Sequence, residues 1–338
     1  MARLGIDATA VAPAAKGIAR VQRGTVRALT ALGSHELVVF ARHPEELTGV
    51  DAVAVSPRLT IEWEQRGLER VVREHELDAM LTWTERLPLR GRGRYLVWLF
   101  EPPTHRIRRN RDVGAGLYQR ASDLVTLALW RRGLRRATLV FAGSQATADA
   151  IDAPARVLYP GLEPEFSPGP GRAGRYVLHI GSRDPRDDSA TALRAFAQAA
   201  EGLSIGLVVA GGYEGPSRDG VEYVGRVSDN ELVDLYRGAA AYLDTSLYEG
   251  FGFQVLEAMA CGAPVVATRT TSIPELAGDA AELAAPGNAE ELGTALRRVL
   301  EEPELAAELR KRGLKRASEF TWDRTARELS GAVDEVLQ

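Results

Sequence analysis

The chain has 338 residues, of which 45% are hydrophobic and 26% charged, a composition typical of a soluble globular protein with two domains of about 150 residues each. No apolar run approaches the ~18 residues that a membrane span needs, and the N-terminus lacks the apolar core of a secretory signal. Cys261 is the single cysteine, which excludes an internal disulfide and a multi-cysteine metal site. We therefore expect a cytoplasmic enzyme or binding protein.

The net charge of −4 hides a basic segment in the first half of the chain. Residues 86–136 contain thirteen arginines and three acidic residues, and include the sequences RIRRNR and WRRGLRR. Two interpretations stay open: solvated helix faces, or a surface for an anionic acceptor or for the anionic inner leaflet of a membrane. Nucleic acid binding is not favoured, because no recognised reader motif accompanies the charge.

Apolar strands alternate with helices along the first half of the chain. Buried strands are predicted at residues 3–7, 36–41, 78–83, 95–100 and 138–143. A loop that contains Gly17 separates the first strand from a predicted helix at 18–32. The segment 157–175 is rich in proline and glycine and predicts an interdomain linker.

The same alternation restarts after this linker. Strands are predicted at residues 176–181, 205–211, 221–225, 240–245 and 264–268. Helices are predicted at 189–201 and within 289–338, and Ser228 with Glu231 forms a capping box that begins another. Two consecutive arrays of this kind predict an α/β fold with two doubly wound, Rossmann-like domains that face each other across a cleft. The predicted units are an N-terminal domain at 1–165, a linker at 166–175, a C-terminal domain at 176–322, and a final helix at 323–338 that packs back on the N-terminal domain.

The segment LYEGFGFQVLEAMACG at 247–262 places two glutamates eight positions apart in an otherwise apolar run. Glu249 is expected just beyond a strand, at the sheet edge where parallel sheets bind ligands. A helix is predicted to begin near Phe253, and its first free N–H groups suit phosphate or sugar oxygens. Glu257 has apolar neighbours and needs a specific hydrogen-bond partner. The two carboxylates can therefore accept hydrogen bonds from two sets of hydroxyls on one ligand, such as a sugar and a ribose.

The residues alone leave two other interpretations of this pair open. In the first, Glu257 caps a helix or pairs with an arginine, and Glu249 faces water. In the second, the pair is the acid and base of a glycosidase. The second is disfavoured, because a helical site places the carboxylates beside backbone amides rather than across a sugar.

The residues around this pair resemble a known family. The sequence SLYEGFGFQVLEAMACGAPVVATRTTSIPELAGDAA closely resembles the E-x7-E signature region of retaining glycosyltransferases of family 4, which have the GT-B fold. The resemblance is most specific over residues 221–328. Residues 157–168 are similar to the interdomain segment of the family, and residues 5–29 to its first loop and helix.

The resemblance implies roles for individual residues. It implies that Glu257 holds the ribose hydroxyls of a nucleotide-sugar donor and that Glu249 contacts the transferred sugar. It also implies further contacts with the donor. The amides of Phe251, Gly252 and Phe253 contact the sugar and diphosphate, Gly181 lies at the donor site, Arg226 and Val227 contact the base, and Gly17 approaches the phosphates from the opposite domain. Enzymes of this family are metal-independent and retain the anomeric configuration by front-side attack.

One segment departs from the family pattern. Relatives carry a basic pair after the first strand of the second domain, where this chain has Ser182 and Asp187. A leaving diphosphate needs positive charge or a metal, so we expect Arg183 and Arg186 to supply the charge from shifted positions. The alternatives are a metal held by Asp187 and its neighbour Asp188, weakened catalysis, or a different register.

A second departure lies in the first domain. Many relatives have a histidine at the end of the strand that corresponds to 95–100, and this chain continues into Glu101 and His105. Either residue can orient the acceptor hydroxyl, and a purely structural role is an equal alternative. The remaining histidines show no metal-ligand spacing.

The sequence thus predicts a nucleotide-sugar-dependent, retaining glycosyltransferase that needs no cofactor and no metal. Its expected partners are a UDP-, GDP- or dTDP-linked sugar and an acceptor glycan, lipid-linked sugar or small molecule. It is expected to be cytoplasmic, with peripheral membrane contact through residues 86–136. The rivals are a weakened or non-catalytic nucleotide-sugar-binding protein, and an epimerase or phosphorylase on the same fold.

Overall fold

The computed structural model describes residues 1–13, 15, 17–105, 107, 116–151, 153–172 and 174–338. These residues form two compact units. The N-terminal unit consists of Met1–Gly161 together with Thr321–Gln338, and the C-terminal unit consists of Leu162–Phe320.

The N-terminal unit is built on a parallel sheet with the strand order β3-β2-β1-β4-β5-β6-β7. Its strands are β1 (Arg3–Asp7), β2 (Glu36–Ala41), β3 (Ala52–Ala54), β4 (Ala79–Thr82), β5 (Tyr95–Leu99), β6 (Leu139–Ala142) and β7 (Arg156–Val157). Its helices are α1 (Ile18–Leu32), α2 (Thr60–Glu62), α3 (Leu68–Glu74), α4 (Leu117–Leu134) and α5 (Gln145–Ala150), and a π-helical turn at Trp63–Gly67 joins α2 to α3. The central strands β4 and β5 are buried along their whole length, as expected of strands covered on both faces.

The last helix of the chain belongs to the same unit and packs against α1. This helix, α12 (Trp322–Leu337), donates a hydrogen bond from Thr325 Oγ1 to the carbonyl oxygen of Tyr159 at 2.7 Å. Ser330 Oγ lies 2.9 Å from Nε2 of the buried His35. The C-terminal segment therefore completes the N-terminal unit through buried polar contacts as well as apolar packing.

The C-terminal unit has a second parallel sheet with the strand order β10-β9-β8-β11-β12-β13. Its strands are β8 (Tyr176–Gly181), β9 (Gly206–Gly211), β10 (Val221–Gly225), β11 (Ala241–Leu243), β12 (Val265–Thr268) and β13 (Ala281–Ala284). Its helices are α6 (Ser189–Ala199), α7 (Asp229–Gly238), α8 (Phe253–Cys261), α9 (Ile273–Ala277), α10 (Ala289–Glu301) and α11 (Pro303–Ala317). A core of buried aliphatic side chains, with the aromatic ring of Phe196, joins β8, β9 and β12 to α6 and α10.

The predicted pattern of strands and helices is confirmed for both sheets. The strands at 3–7, 36–41, 176–181 and 221–225 and the helix at 18–32 have the predicted bounds. The capping box is present, since the Ser228 hydroxyl accepts from the Glu231 amide and the Glu231 carboxylate accepts from the Ser228 amide. Strands β3, β7 and β13 were not predicted, because each has at most four residues and no long apolar run.

Candidate active site in the C-terminal unit

Three loops meet at the carboxyl edge of the second sheet. They follow the neighbouring strands β8, β11 and β12, and this edge is where doubly wound sheets bind ligands. Thr245 Oγ1, after β11, donates to the carbonyl oxygens of Asp187 and Asp188 at 2.8 and 3.1 Å. The amide of Leu247 donates to the carbonyl oxygen of Arg186 at 2.6 Å. The loops after β8 and β11 are therefore fixed to each other by backbone contacts.

The turn before α8 is held by the loop that follows β12. Ser272 Oγ contacts the carbonyl oxygens of Glu249 and Phe251 at 3.0 and 2.7 Å, and Thr271 Oγ1 accepts from the Glu249 amide at 2.9 Å. Gly252 caps the helix with φ of 103°, and a Cβ there would lie 2.7 Å from the Ile273 Cδ1 atom. Only glycine therefore fits at this helix start, and the predicted start of the helix at Phe253 is confirmed.

Glu249 lies partly buried among other carboxylates. Its Oε1 is 3.4 Å from the Ser246 hydroxyl. The pKa of Glu249 is raised to about 8, mainly by burial and also by the charges of Asp244 and Asp187, whereas Arg186 lowers it. The side chain of Glu249 is therefore half-buried, and its carboxyl group holds its proton to a higher pH than an ordinary glutamate.

Asp244 is a site residue that the sequence analysis missed. It is 2% exposed, and its two carboxylate oxygens accept from the Tyr242 hydroxyl at 3.2 Å and from the Ser246 amide at 3.0 Å. The signal was present, since an aspartate directly after a buried strand lies at the ligand edge of a parallel sheet. Its charge is one of the causes, after burial, that raise the pKa of Glu249.

Glu257 lies inside α8 and is 2% exposed. Its Oε2 accepts a hydrogen bond from the Tyr236 hydroxyl at 3.3 Å. The ring of Tyr236 packs edge-on against Tyr242, so this carboxylate is held by an aromatic cluster. The contact with Tyr236 thus helps to fix the orientation of this buried carboxylate.

Arg183 and Arg186, in the segment that departs from the family pattern, differ in their surroundings. Arg183 has 84% of its side chain exposed and lies 4.0 Å from the Glu214 carboxylate. Arg186 is 30% exposed, donates from Nη2 to Asp184 at 2.9 Å, and lies 5.8 Å from the centre of the Tyr248 ring. Of the two, Arg186 is the one whose charge acts on Glu249.

The pKa of Asp187 is also raised above the ordinary value for an aspartate. Burial and the charge of Asp184 raise its pKa, while hydrogen bonds from Ser182 lower it. Burial is the largest of these causes, and the two positions that replace the basic pair, Ser182 and Asp187, are joined by hydrogen bonds.

Gly181 ends β8 where three neighbours approach closely. A Cβ at this position would lie 2.3 Å from Ser189 Oγ and 3.0 Å from His179 Nε2. His179 Nε2 is itself 2.9 Å from Ser189 Oγ, and burial lowers the pKa of this histidine. Gly181 thus leaves room for the contact that anchors the start of α6.

The other predicted residues lie elsewhere in the two units. Arg226 is exposed and Val227 half-buried between β10 and α7. In the N-terminal unit, Gly17 is the N-cap of α1 with φ of 63°. Glu101 and His105 are half-buried after β5, and the His105 amide donates to the Pro102 carbonyl at 3.0 Å. Eight of the predicted residues lie on the elements that form the edge of the second sheet described above: Gly181, Arg183, Arg186, Glu249, Phe251, Gly252, Phe253 and Glu257.

Within the described ranges, no three side chains of histidine, cysteine, aspartate or glutamate are arranged to hold a metal ion. The helices of those same ranges include none that is long and apolar enough to cross a membrane. Most of the basic sequence at 106–111 lies outside the described residues.

Part of the chain is similar to known glycosyltransferases. Residues 167–316 match the model of the family described as glycosyl transferases group 1. The chain is 32% identical over 166 residues to the O-antigen chain mannosyltransferase B of Escherichia coli, covering 44% of this chain and 42% of that protein. It is 33% identical over 150 residues to the GDP-mannose-dependent α-(1-6)-phosphatidylinositol dimannoside mannosyltransferase of Mycobacterium tuberculosis, covering 41% of this chain and 38% of that protein. The chain therefore spans less than half the length of both relatives.

Solved structures share the whole fold. Anabaena HepE in complex with UDP and glucose superposes with a TM-score of 0.75 at 17% identity, covering 99% of this chain and 100% of that one. The sucrose-phosphate synthase of Thermosynechococcus elongatus superposes with a TM-score of 0.75 at 18% identity, covering 99% of both chains. The predicted GT-B fold with two Rossmann-like domains is confirmed.

Proposed function

We propose that this chain is a glycosyltransferase that moves a sugar from a nucleotide-sugar donor to an acceptor hydroxyl, with retention of configuration and without a metal. The observation that supports the proposal most directly is the arrangement of Glu249, the turn before α8 and Glu257 at the ligand edge of a sheet that lies within the glycosyltransferase match. In this proposal Glu257 binds the ribose, Glu249 the transferred sugar, and the amides at 251–253 the diphosphate.

The first donor to test is GDP-mannose, because both relatives described above are mannosyltransferases and one is named for that donor. The chain would be incubated with GDP-mannose, UDP-glucose and a dTDP-sugar, each with a panel of mannosides and lipid-linked sugars and with EDTA. We expect release of GDP that depends on the acceptor and continues in EDTA, and an α-linked product by NMR. Release that stops in EDTA would contradict metal independence, and a β-linked product would contradict retention.

The same assay separates the rival functions. An epimerase would convert the nucleotide sugar without an acceptor and without releasing nucleotide. A non-catalytic binding protein would bind a nucleotide sugar and turn over none of the donors. Either result would overturn the proposed transfer.

The ribose role of Glu257 is tested by nucleotide affinity. Glu257→Gln is expected to raise the Kd of the nucleotide by about 10–100-fold, since a hydrogen bond to a charged group contributes about 1.5–3 kcal/mol. Isothermal titration calorimetry measures this change. Tyr236→Phe is the matched control, because it removes the hydrogen bond to Glu257 and leaves the carboxylate in place. Equal losses in both variants would show that Glu257 acts only through its contact with Tyr236.

We also propose that α4 makes the peripheral membrane contact expected from the basic segment. Leu117, Leu124 and Leu127 are 85%, 69% and 47% exposed on this helix, and Arg131 and Arg132 are exposed near its end. Exposed leucines beside arginines suit an anionic lipid surface, which binds apolar side chains and attracts basic ones.

Sedimentation with vesicles of phosphatidylcholine and phosphatidylglycerol tests this contact. We expect the chain to bind these vesicles, less so at 0.5 M salt, and Leu124→Glu to reduce binding at least fivefold. Leu247→Glu, at a leucine that is 42% exposed in the C-terminal unit, is the control. Equal binding by both variants, or no binding by the unaltered chain, would refute the contact.

A further inference from the structure

The N-terminal unit contains a polar cavity of about 270 Å³ that none of the roles above uses. We call it the Trp83 pocket, and its walls are Thr60, Glu64, Trp83, Thr84, Glu85, Arg86, Gln119, Ser122, Asp123 and Thr126. Trp83 to Arg86 directly follow β4, so the pocket opens at the carboxyl edge of the first sheet. Its volume is slightly below the 300–1,000 Å³ typical of sites for drug-sized ligands, which suits a single sugar ring.

A buried ion pair forms one wall of the pocket. Arg86 Nη2 donates to Glu64 Oε1 at 2.8 Å, and its Nη1 lies 3.1 Å from Ser122 Oγ on α4. Thr84 Oγ1 donates to the same Glu64 oxygen at 2.7 Å. The wall therefore has a fixed geometry before any ligand binds.

The same wall has unused hydrogen-bonding capacity. Within the part of the chain that the structure describes, Glu64 Oε2, Arg86 Nε and Trp83 Nε1 are buried atoms without a hydrogen-bond partner. Each such group costs about 1–3 kcal/mol relative to a satisfied one. A ligand with several hydroxyl groups can supply both acceptors and donors to them after a small side-chain rotation.

The charge of the pocket excludes one class of ligand. Among the described residues that line the pocket, Glu64, Glu85 and Asp123 provide three carboxyl groups, and Arg86 is the single basic residue. Burial raises the pKa of Glu64, and the charge of Arg86 lowers it. A phosphate group would meet more negative than positive charge, whereas sugar hydroxyls donate to carboxylates and the Trp83 indole offers an apolar surface to the carbon face of a ring.

We propose that the Trp83 pocket binds one uncharged sugar ring of the acceptor, and that no phosphate of the acceptor enters it. This inference rests on the proposed sugar transfer and names the acceptor class for it. It also limits any anionic part of the acceptor to other surfaces of the chain.

Three ligands that differ in one group test the pocket. Saturation-transfer NMR on the full chain, without a donor, would measure the Kd of D-mannose, D-mannosamine and D-mannose 6-phosphate. We expect millimolar binding of mannose, equal or less than tenfold tighter binding of mannosamine, whose ammonium group meets net negative charge, and at least tenfold weaker binding of the phosphate. Undetectable mannose binding would overturn the proposal, and at least tenfold tighter binding of mannosamine would reveal an amine site instead.

Two substitutions assign the binding to this cavity. Trp83→Phe removes the unpaired indole N–H, and Asp123→Asn removes one carboxylate, so each is expected to weaken mannose binding at least fivefold. Ala128→Ser, on the exposed face of α4, is the control that should change nothing. Melting temperatures within 2 °C of the unaltered chain would establish that the variants are folded. Unchanged mannose binding in both pocket variants would overturn the assignment.

The proposed function and this inference fail in different ways. If the chain transfers sugar from a donor but both pocket variants keep the KM of the acceptor, the pocket assignment is wrong and the transfer stands. If no donor is turned over, the transfer is wrong, and the mannose measurement still decides whether the pocket binds a sugar.

Discussion

Glu249→Gln is expected to lower turnover by about 10–100-fold while raising the melting temperature of the C-terminal unit above pH 8. The loss of turnover, measured above pH 8 where Glu249 is ionised, follows from the proposed contact with the transferred sugar, because an amide replaces a carboxylate as hydrogen-bond acceptor. Nucleotide affinity should change less than threefold, since the ribose and base contacts stay in place. A larger loss in affinity than in turnover would refute the assignment of Glu249 to the sugar.

The gain in stability follows from the pKa of about 8 in the folded protein, against 4.5 for an ordinary glutamate. Because the folded state holds this proton more tightly, ionisation of Glu249 favours unfolding. That cost is absent below pH 4.5, grows as pH rises, and is complete above about pH 8. It amounts to roughly 2–4 kcal/mol after allowance for solvent screening, or about 5–10 °C in melting temperature.

Calorimetry at pH 5.0 and pH 8.5 tests this prediction. The advantage of Glu249→Gln should be small at pH 5.0 and large at pH 8.5. Glu214→Gln is the control, because its carboxylate is 80% exposed in the same unit and should give no such difference. A constant difference at both pH values would show that the carboxyl group titrates normally.

The activity of the unaltered chain should follow the same titration. If the carboxylate form accepts hydrogen bonds from the sugar, kcat/KM rises with pH through about 8. The Glu249→Gln variant should lack this rise. The residue would then combine a stability cost with a functional gain, as is common at active sites.

The sequence predicted the elements of the site better than its electrostatics. The apolar strand at 176–181 and the glycine before Phe253 carry local signals, so β8 and the start of α8 have their predicted positions. The titration of Glu249 depends on Asp187 and Asp244, which reach it from loops after two different strands. No local pattern records that proximity, because it arises only when the strands pair.

The same limit applies to the Trp83 pocket. Its ion pair joins Glu64 and Arg86, which are 22 residues apart, and one of them lies on a π-helical turn. Hydrophobic periodicity does not distinguish such a turn from an ordinary helix, and the basic composition of 86–136 suggested solvent-exposed arginines. The composition of 86–136 favoured a positively charged surface. Because Arg86 is buried beside carboxyl groups, the Trp83 pocket has more acidic than basic groups among its described residues instead.

Substitution of Arg186 and of Arg183 should have very different effects on turnover if only one of them contacts the diphosphate. Arg186→Ala is expected to lower turnover at least 100-fold, whereas Arg183→Ala should change it less than threefold. Arg183 has a mostly exposed side chain, so its charge is screened by solvent and salt. Arg186 is partly buried beside Asp184, and its charge lowers the pKa of Glu249, so we expect this charge to act on a bound ligand.

Asp184 decides how the charge of Arg186 is available to a ligand. It accepts from Nε and Nη2 of the guanidinium and from the Arg186 amide, so it both holds the side chain and offsets its charge. Asp184→Asn keeps an acceptor for the amide and removes the negative charge that offsets the guanidinium. We therefore expect Asp184→Asn to retain turnover within threefold or to increase it, with tighter donor binding.

These three variants distinguish a role in the reaction from a structural one. Single-turnover rates at saturating donor measure the chemical step, and donor affinity is measured separately. Loss of the rate in Arg186→Ala but not in Asp184→Asn would assign the diphosphate charge to Arg186. Equal losses in both would show that the pair only maintains the loop after β8. Equal losses in Arg183→Ala and Arg186→Ala would mean that the two arginines share the charge, because a leaving diphosphate is stabilised by whichever cations face it.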